Sequence, residues 1–120
     1  MTSSARSIFV FGIYLGVVGI LTLVVPNLFL STFFLPTTSE VWVRVVGMLT
    51  LFLSFYFIQS ARAGLTEFFR LTVYVRASTI VFLAAFVLLG YAPPQLLAFG
   101  VADLLGAIWT GLTLRSAASA

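Results

Sequence analysis

The sequence predicts an all-α integral membrane protein, a four-helix up-and-down bundle with both termini on the cytoplasmic side. Three observations support this prediction. Hydrophobic residues make up 62% of the 120 residues and charged residues only 8%, whereas charged residues alone are about 25% of an ordinary soluble domain. Four apolar segments are each long enough to span a bilayer, which takes about 17–25 residues. The arginines cluster at alternate connections between these segments.

The first predicted helix covers about residues 8–25. Its apolar run is longer than the core of about 7–15 residues found in a signal peptide, and Pro26 follows it where such a peptide has a small-residue cleavage site. We therefore expect a retained helix. Gly12 and Gly16 have the small-xxx-small spacing that lets two membrane helices approach closely. Both glycines are expected to pack against a neighbouring helix.

An apolar connector, residues 26–40, follows without any lysine or arginine. Its leucine and phenylalanine side chains predict that it lies in the membrane interface rather than in free water. Thr37 and Glu40 have the spacing of a capping box, in which a threonine and a glutamate three residues later satisfy each other's backbone donors. The second helix is therefore predicted over about residues 41–60.

Polar residues mark two parts of this second helix. Arg44 and Gly47 lie near its start, while Tyr56 and Gln59 lie further along and are expected to face the bundle interior. Glu40 and Arg44 are four residues apart, so a local ion pair on one helical face is a simple explanation for both. The alternative is that Arg44 points inward to a partner on another helix.

The third and fourth helices are predicted over about residues 71–89 and 95–114. Gly64 suits the C-terminus of the second helix, and Thr66 suits the N-cap of the third. All of these helices belong to a single transmembrane domain that covers residues 1–120.

The arginines predict the orientation of the bundle. Four of the six fall on one side of the membrane if the four helices alternate in direction: Arg6, Arg62, Arg70 and Arg115. The positive-inside rule then places both termini in the cytoplasm. The net charge of +3 is accordingly interpreted as a determinant of topology, and no nucleic-acid partner is expected. The expected partner is the lipid bilayer, with a homo-oligomer or a larger membrane complex left open.

Composition excludes several kinds of chemistry. The chain has no cysteine and no histidine, which removes thiol nucleophiles, disulfides and Cys/His metal sites. Its three carboxylates are too few and too scattered for a metal cage, so no metal or cofactor is expected. Asp103 with Tyr14 or Tyr56 is the only conceivable acid–base set, and no catalytic residue is assigned.

Asp103 is the centre of the predicted polar site, about 12 Å inside its helix at 1.5 Å per residue. An ionisable group at this depth is expected to face protein and to have a partner. Arg44 starts only about 5 Å below the same surface, but its side chain reaches further inward, so its head group falls at a matching depth. An Arg44–Asp103 pair is therefore predicted to join the second and fourth helices. Arg76 is the alternative partner, although its head group is expected to extend to the cytoplasmic interface. Small residues let another helix cover the carboxylate, namely Gly100, Gly106, Ala107 and Gly111.

A resemblance to known proteins rests on three segments, namely Arg44-Val45-Val46-Gly47, Ala61-Arg62-Ala63 and residues 101–110 around Asp103. Together they resemble small bacterial four-helix membrane proteins near the DoxX-like families, including the uncharacterised domain family numbered 4345. The resemblance covers most of the chain in layout. It implies a bacterial inner-membrane bundle whose role is mostly unassigned. Some DoxX relatives are described as membrane subunits beside quinone-linked oxidoreductases, but this chain has no cofactor ligand of its own.

Three classes of function follow from these observations. The favoured class is an accessory bundle that binds lipid, a hydrophobic small molecule such as a quinone, or a membrane complex through the buried Arg–Asp site. The second is a small proton-coupled transporter that acts as a dimer. Small multidrug transporters are similar in size but carry an essential glutamate in the first helix, so Asp103 would have to take that role. The third, a membrane enzyme, is the least favoured because no nucleophile–base pair is present.

Overall fold

The computed structural model of the protein describes residues 1–119, so Ala120 of the predicted domain lies outside the described residues. Within residues 1–119 the chain is helical and forms no strand. Its elements are α1 (Ser3–Val24), α2 (Pro26–Thr32), α3 (Trp42–Ala63), α4 (Thr66–Leu88), one turn of 3₁₀ helix (Pro94–Leu96) and α5 (Leu97–Ser119). Four of these helices are long and apolar enough to cross a membrane, as the sequence predicted.

The first helix begins five residues earlier than predicted. The Thr2 hydroxyl accepts a hydrogen bond of 3.1 Å from the backbone N–H of Ala5, which satisfies one of the free donors at the start of α1. This cap extends the helix back through the polar N-terminal segment. Arg6 therefore lies within α1 rather than before it.

The predicted capping box at Thr37 and Glu40 is wrong. The hydroxyl of Thr38 accepts from the backbone N–H of Glu40 at 3.1 Å in a local turn, and α3 begins only at Trp42 with no side-chain cap. The preceding connector also contains the short helix α2, which the sequence analysis did not predict. Pro26 starts this helix, a position where its fixed φ and missing N–H cost little.

The turn between α3 and α4 is tighter than predicted. Gly64 ends α3 with φ of +67°, a left-handed conformation that glycine adopts without a steric penalty, so this part of the prediction is confirmed. Thr66, however, is the first residue of α4 rather than its N-cap, because Leu65 holds that position.

α1 and α3 form a close antiparallel pair. The Ser54 hydroxyl donates a 2.7 Å hydrogen bond to the carbonyl oxygen of Gly12, and a Cβ atom on Gly16 would lie 2.9 Å from the Ser54 Oγ. Nearer the other end, a Cβ atom on Gly47 would lie 2.6 Å from the backbone nitrogen of Leu23. The backbones approach so closely only because these positions lack side chains.

α4 and α5 form a second antiparallel pair. A Cβ atom on Gly100 would lie 2.7 Å from Cδ1 and 3.1 Å from Cα of Ile80, while at Gly111 the nearest atom would be Val73 Cγ1 at 3.6 Å. Gly100 therefore lies in a tight contact, whereas Gly111 leaves ordinary van der Waals space. Ala107 on the same helix is 1% exposed.

The two helix pairs meet through α1. It packs on α3 along most of its length and also contacts α4 and α5. The bundle is consequently flattened, with short dimensions of 29 and 18 Å across a length of 49 Å. The hydrophobic core is at one end, which we call the basic end because Arg6, Arg62, Arg70 and Arg115 lie there. Its buried apolar members are Ala5, Ile8, Phe11, Phe57, Ala61 and Phe69.

Candidate functional site

Arg76 lies inside the bundle with 4% of its surface exposed. Its Nη2 donates to the hydroxyls of Thr110 at 2.8 Å and Thr72 at 3.1 Å, and its Nε donates to the Thr72 carbonyl at 3.3 Å. The guanidinium carbon also lies 4.7 Å from the ring centre of Phe11 and 5.8 Å from that of Phe57, which adds cation–π attraction. The expectation that Arg76 extends to the cytoplasmic interface is therefore wrong.

The hydrogen bonds of Arg76 continue to α1 in a defined direction. The Ser7 hydroxyl donates to the Ser4 carbonyl at 2.7 Å, and a hydroxyl has one proton. In the 2.7 Å contact between Ser7 and Thr110, Thr110 must then be the donor, which leaves its oxygen free to accept from Arg76. This chain joins α4, α5 and α1 near the basic end.

Sequence reasoning missed the partners of Arg76. Thr72 lies four residues before Arg76 on the same helical face, and this spacing is a signal that was available from the sequence. Ser7 and Thr110 lie on other helices, so only the packing of α1 against α5 reveals them. Gly106 was predicted as a small residue that lets another helix pack closely, and a Cβ atom there would lie 3.0 Å from the Arg76 Nη1.

Arg44 does not pair with Asp103. Its Nη1 donates to the carbonyl oxygens of Leu23 at 2.6 Å and Val24 at 3.4 Å, where a cation offsets the negative end of the α1 dipole. The predicted pair fails because α3 packs on α1 rather than on α5. The local alternative with Glu40 fails as well, because Glu40 precedes the helix and the i, i+4 geometry does not apply.

Tyr56 and Gln59 are on the outer surface of α3, and Tyr56 is 59% exposed. The buried residues of this part of the helix are Ser54, Phe57 and Ala61. Because side chains three and four positions apart share one helical face, Tyr56 and Gln59 point away from α1. The expectation that they face the polar interior is wrong.

Asp103 is half-buried on α5. Its carboxylate interacts with the hydroxyl of Thr79 and electrostatically with the guanidinium of Arg76. The Arg76 nitrogens lie beyond the 4.0 Å of a salt bridge, and the salt bridge found in residues 1–119 joins Arg70 to Glu67 at the surface. Asp103 therefore has a nearby positive charge without a direct ion pair.

A cavity of about 400 Å³ lies between the two helix pairs on the side of Arg76 away from the basic end. All five helices contribute to its wall, which is mostly apolar. The principal apolar side chains are Val18, Leu30, Val43, Leu83, Leu96 and Phe99. Among the lining residues Asp103 is the one with a formal charge. The cavity forms because α1 contacts the α4–α5 pair closely only near the basic end.

The threonine hydroxyls in the cavity wall have little donor capacity left. Thr22 and Thr50 each donate to a carbonyl of their own helix, at 2.7 and 2.8 Å. The single proton of the Thr79 hydroxyl is shared between the Val75 carbonyl, at 3.3 Å, and the Asp103 carboxylate. Tyr14 also lines the cavity. The threonine and Asp103 oxygens therefore act mainly as acceptors, whereas the phenolic O–H of Tyr14 can donate.

α2 forms part of the cavity wall through Phe29 and Leu30. The rings of Phe29 and Phe33 pack at tilted angles against Phe99 of α5, with centroid distances of 5.7 and 5.0 Å. The side-chain amide of Gln95 donates to the carbonyl of Phe34 at 3.2 Å, which ties the connector to the segment just before α5. The apolar connector thus packs against α5 beside the cavity.

No family model, curated protein or solved structure matches the chain. The resemblance to the DoxX-like proteins therefore stays a prediction. In residues 1–119, no group of three or more metal-ligating histidine, cysteine, aspartate or glutamate side chains is found. What the site can do follows from its geometry, which is that of a mostly apolar cavity with one carboxylate in its wall.

Proposed function

We propose that this chain is a multi-pass protein of the bacterial inner membrane, with both termini in the cytoplasm, that acts as an accessory bundle by holding a lipid chain or another apolar small molecule between its helices. The observation that carries the proposal is the cavity of about 400 Å³ that opens between the helix pairs. The bacterial assignment rests on the resemblance to the DoxX-like proteins.

The outer surface of the bundle supports insertion in a membrane. Large apolar side chains remain exposed along each of the four long helices, including Val10, Ile13, Val17 and Ile20 on α1. Helices of 22 or 23 residues are about 33–35 Å long, enough for a hydrocarbon core of about 30 Å. Arginines at the basic end support the cytoplasmic placement of both termini.

The cavity has the properties of a small-molecule site. Such sites are concave, measure about 300–1,000 Å³ and combine apolar walls with a few polar groups. Here Phe99 and Leu83 provide apolar wall, and Asp103 and Tyr14 provide polar groups. A hydrophobic ligand would bury apolar surface that otherwise faces an unfilled space.

Native mass spectrometry with a pair of substitutions tests this proposal. Val18→Phe places a ring in the cavity, whereas Val17→Phe places the same ring on the outer face of the same helix, where Val17 is 54% exposed. Wild type and V17F are expected to carry a bound lipid or apolar molecule in mild detergent, and V18F is expected to lose it. Equal occupancy in all three proteins would contradict the proposal.

A further inference from the structure

We infer that the preferred occupant of this cavity is a cationic amphiphile whose protonated amine pairs with Asp103. This inference rests on the proposed function and adds the chemical class of the ligand. It is carried by the position of Asp103 in the cavity wall, by the hydrogen-bonding state of the neighbouring hydroxyls and by the placement of the nearest arginines.

The carboxylate of Asp103 has unused acceptor capacity. An ionised carboxylate offers about four lone-pair positions, and Thr79 is the hydroxyl that interacts with it. The hydroxyls of Thr22 and Thr50 donate to their own helix backbones, so they offer a ligand acceptor oxygens only. A ligand that binds these oxygens must bring donors, and a primary ammonium group brings three. The phenolic O–H of Tyr14 is a donor in the same wall.

Neither nearby arginine makes a direct ion pair with Asp103. Arg76 directs Nη2 and Nε toward Thr72 and Thr110, its buried Nη1 has no hydrogen-bond partner, and its charge acts on Asp103 from beyond salt-bridge distance. Arg44 is occupied at the end of α1. The charged and titratable groups that face Asp103 are therefore Arg76 from α4 and Tyr14 from α1.

The surroundings strengthen a charged contact and set the shape of the ligand. An attraction between opposite charges grows as the effective dielectric constant falls, and the wall beside Asp103 is mostly apolar. The rings of Phe29 and Phe99 line the same space and can face a cation. An apolar chain attached to the amine would extend along Val18 and Leu83. An anionic amphiphile would instead meet repulsion from the carboxylate.

Three probes with the same ten-carbon chain test the inference: decylamine, decanol and decanoate. Each is titrated at pH 7 into wild type and D103N in one detergent, and binding is followed by the shift in Tm. Alkylamines resemble lysine in titrating far above this pH. Micellar partition is the same for both proteins, so the ratio of the two Kd values isolates the protein contact. D103N is expected to raise the Kd for decylamine at least tenfold and to change the Kd for decanol less than twofold. Of the three probes, wild type is expected to bind decanoate most weakly.

The outcomes separate this inference from the proposed function. Suppose that wild type and D103N bind decylamine with equal affinity, and that V18F weakens this binding in both proteins. That result would overturn the cationic preference and leave the cavity as a binding site. Insensitivity of all three probes to V18F would overturn both. Unchanged decanol binding also shows that D103N is folded. Should D103N fail to fold, wild type must still prefer decylamine over decanol at least tenfold after correction for protein-free partition, and equal affinities would overturn the inference.

Discussion

Removing the Thr110 hydroxyl should loosen the junction of α1, α4 and α5. Thr110 is fully buried at 0% exposure, accepts a 2.8 Å hydrogen bond from Arg76 and donates one of 2.7 Å to Ser7. Thr110→Val keeps nearly the same side-chain shape and removes both hydrogen bonds. The charged guanidinium stays buried with Thr72 as its remaining hydroxyl partner.

The expected loss of unfolding free energy follows from these two bonds. A hydrogen bond to a charged group contributes about 1.5–3 kcal/mol, and the lower end applies because Arg76 Nη2 retains Thr72. A neutral hydrogen bond between membrane helices averages about 0.6 kcal/mol. Together they predict that Thr110→Val lowers the free energy of unfolding by about 2 kcal/mol.

Equilibrium unfolding in mixed micelles, followed by circular dichroism, measures this change. Thr113→Val is the matched control, since the Thr113 hydroxyl donates only within its own helix, to the Thr110 carbonyl at 2.7 Å. Its effect should stay within about 0.5 kcal/mol. A loss of less than about 0.5 kcal/mol for Thr110→Val would refute the view that this hydrogen-bond chain holds the helix pairs together.

Three further predictions concern packing, coupling and orientation. Gly47→Ala should destabilise the bundle by about 1–3 kcal/mol because its Cβ meets backbone, whereas Gly111→Ala should be neutral or stabilise by up to about 1 kcal/mol through helix propensity; equal effects in chemical unfolding would contradict this packing. Arg44→Gln and Asp103→Asn should have additive effects within about 0.5 kcal/mol in a double-mutant cycle, since the two side chains share no contact; a larger coupling would restore the predicted ion pair. In a chain without native cysteine, Tyr91→Cys should react with a membrane-impermeant maleimide in intact spheroplasts, and protection until lysis would reverse the proposed orientation.

The sequence was sufficient to predict the four long helices, but not the short helix α2. Apolar segments of spanning length, with Gly64 at a turn, specify four long helices because each observation is local along the chain. The ends were less predictable, since a cap depends on which hydroxyl reaches which N–H. Thr2 and Thr38 form such local bonds, while the predicted Thr37–Glu40 box does not.

Which helices pack against each other could not be predicted from the sequence. The predicted Arg44–Asp103 pair required α3 to lie beside α5, but the glycines of α1 bring α3 onto α1 instead. Arg76 was wrongly expected at the interface because the residues that bury it lie on other helices. Thr110 of α5 and the rings of Phe11 and Phe57 reach it only once the bundle is packed. Asp103 was predicted to face protein, but its place in the wall of a cavity depends on how far the helix pairs diverge.

Photolabelling directly tests whether the cavity between the helix pairs is a ligand-binding site. A diazirine analogue of decanol would be photolysed with the protein in membranes, and its adducts located by peptide mass spectrometry. If the cavity binds an apolar ligand, adducts are expected on cavity residues such as Tyr14 and Asp103, and excess decanol should suppress them. V18F should abolish these adducts, whereas V17F should retain them. Adducts spread over the exposed faces of the helices, unaffected by decanol or by V18F, would show that the space between the helix pairs is not a binding site.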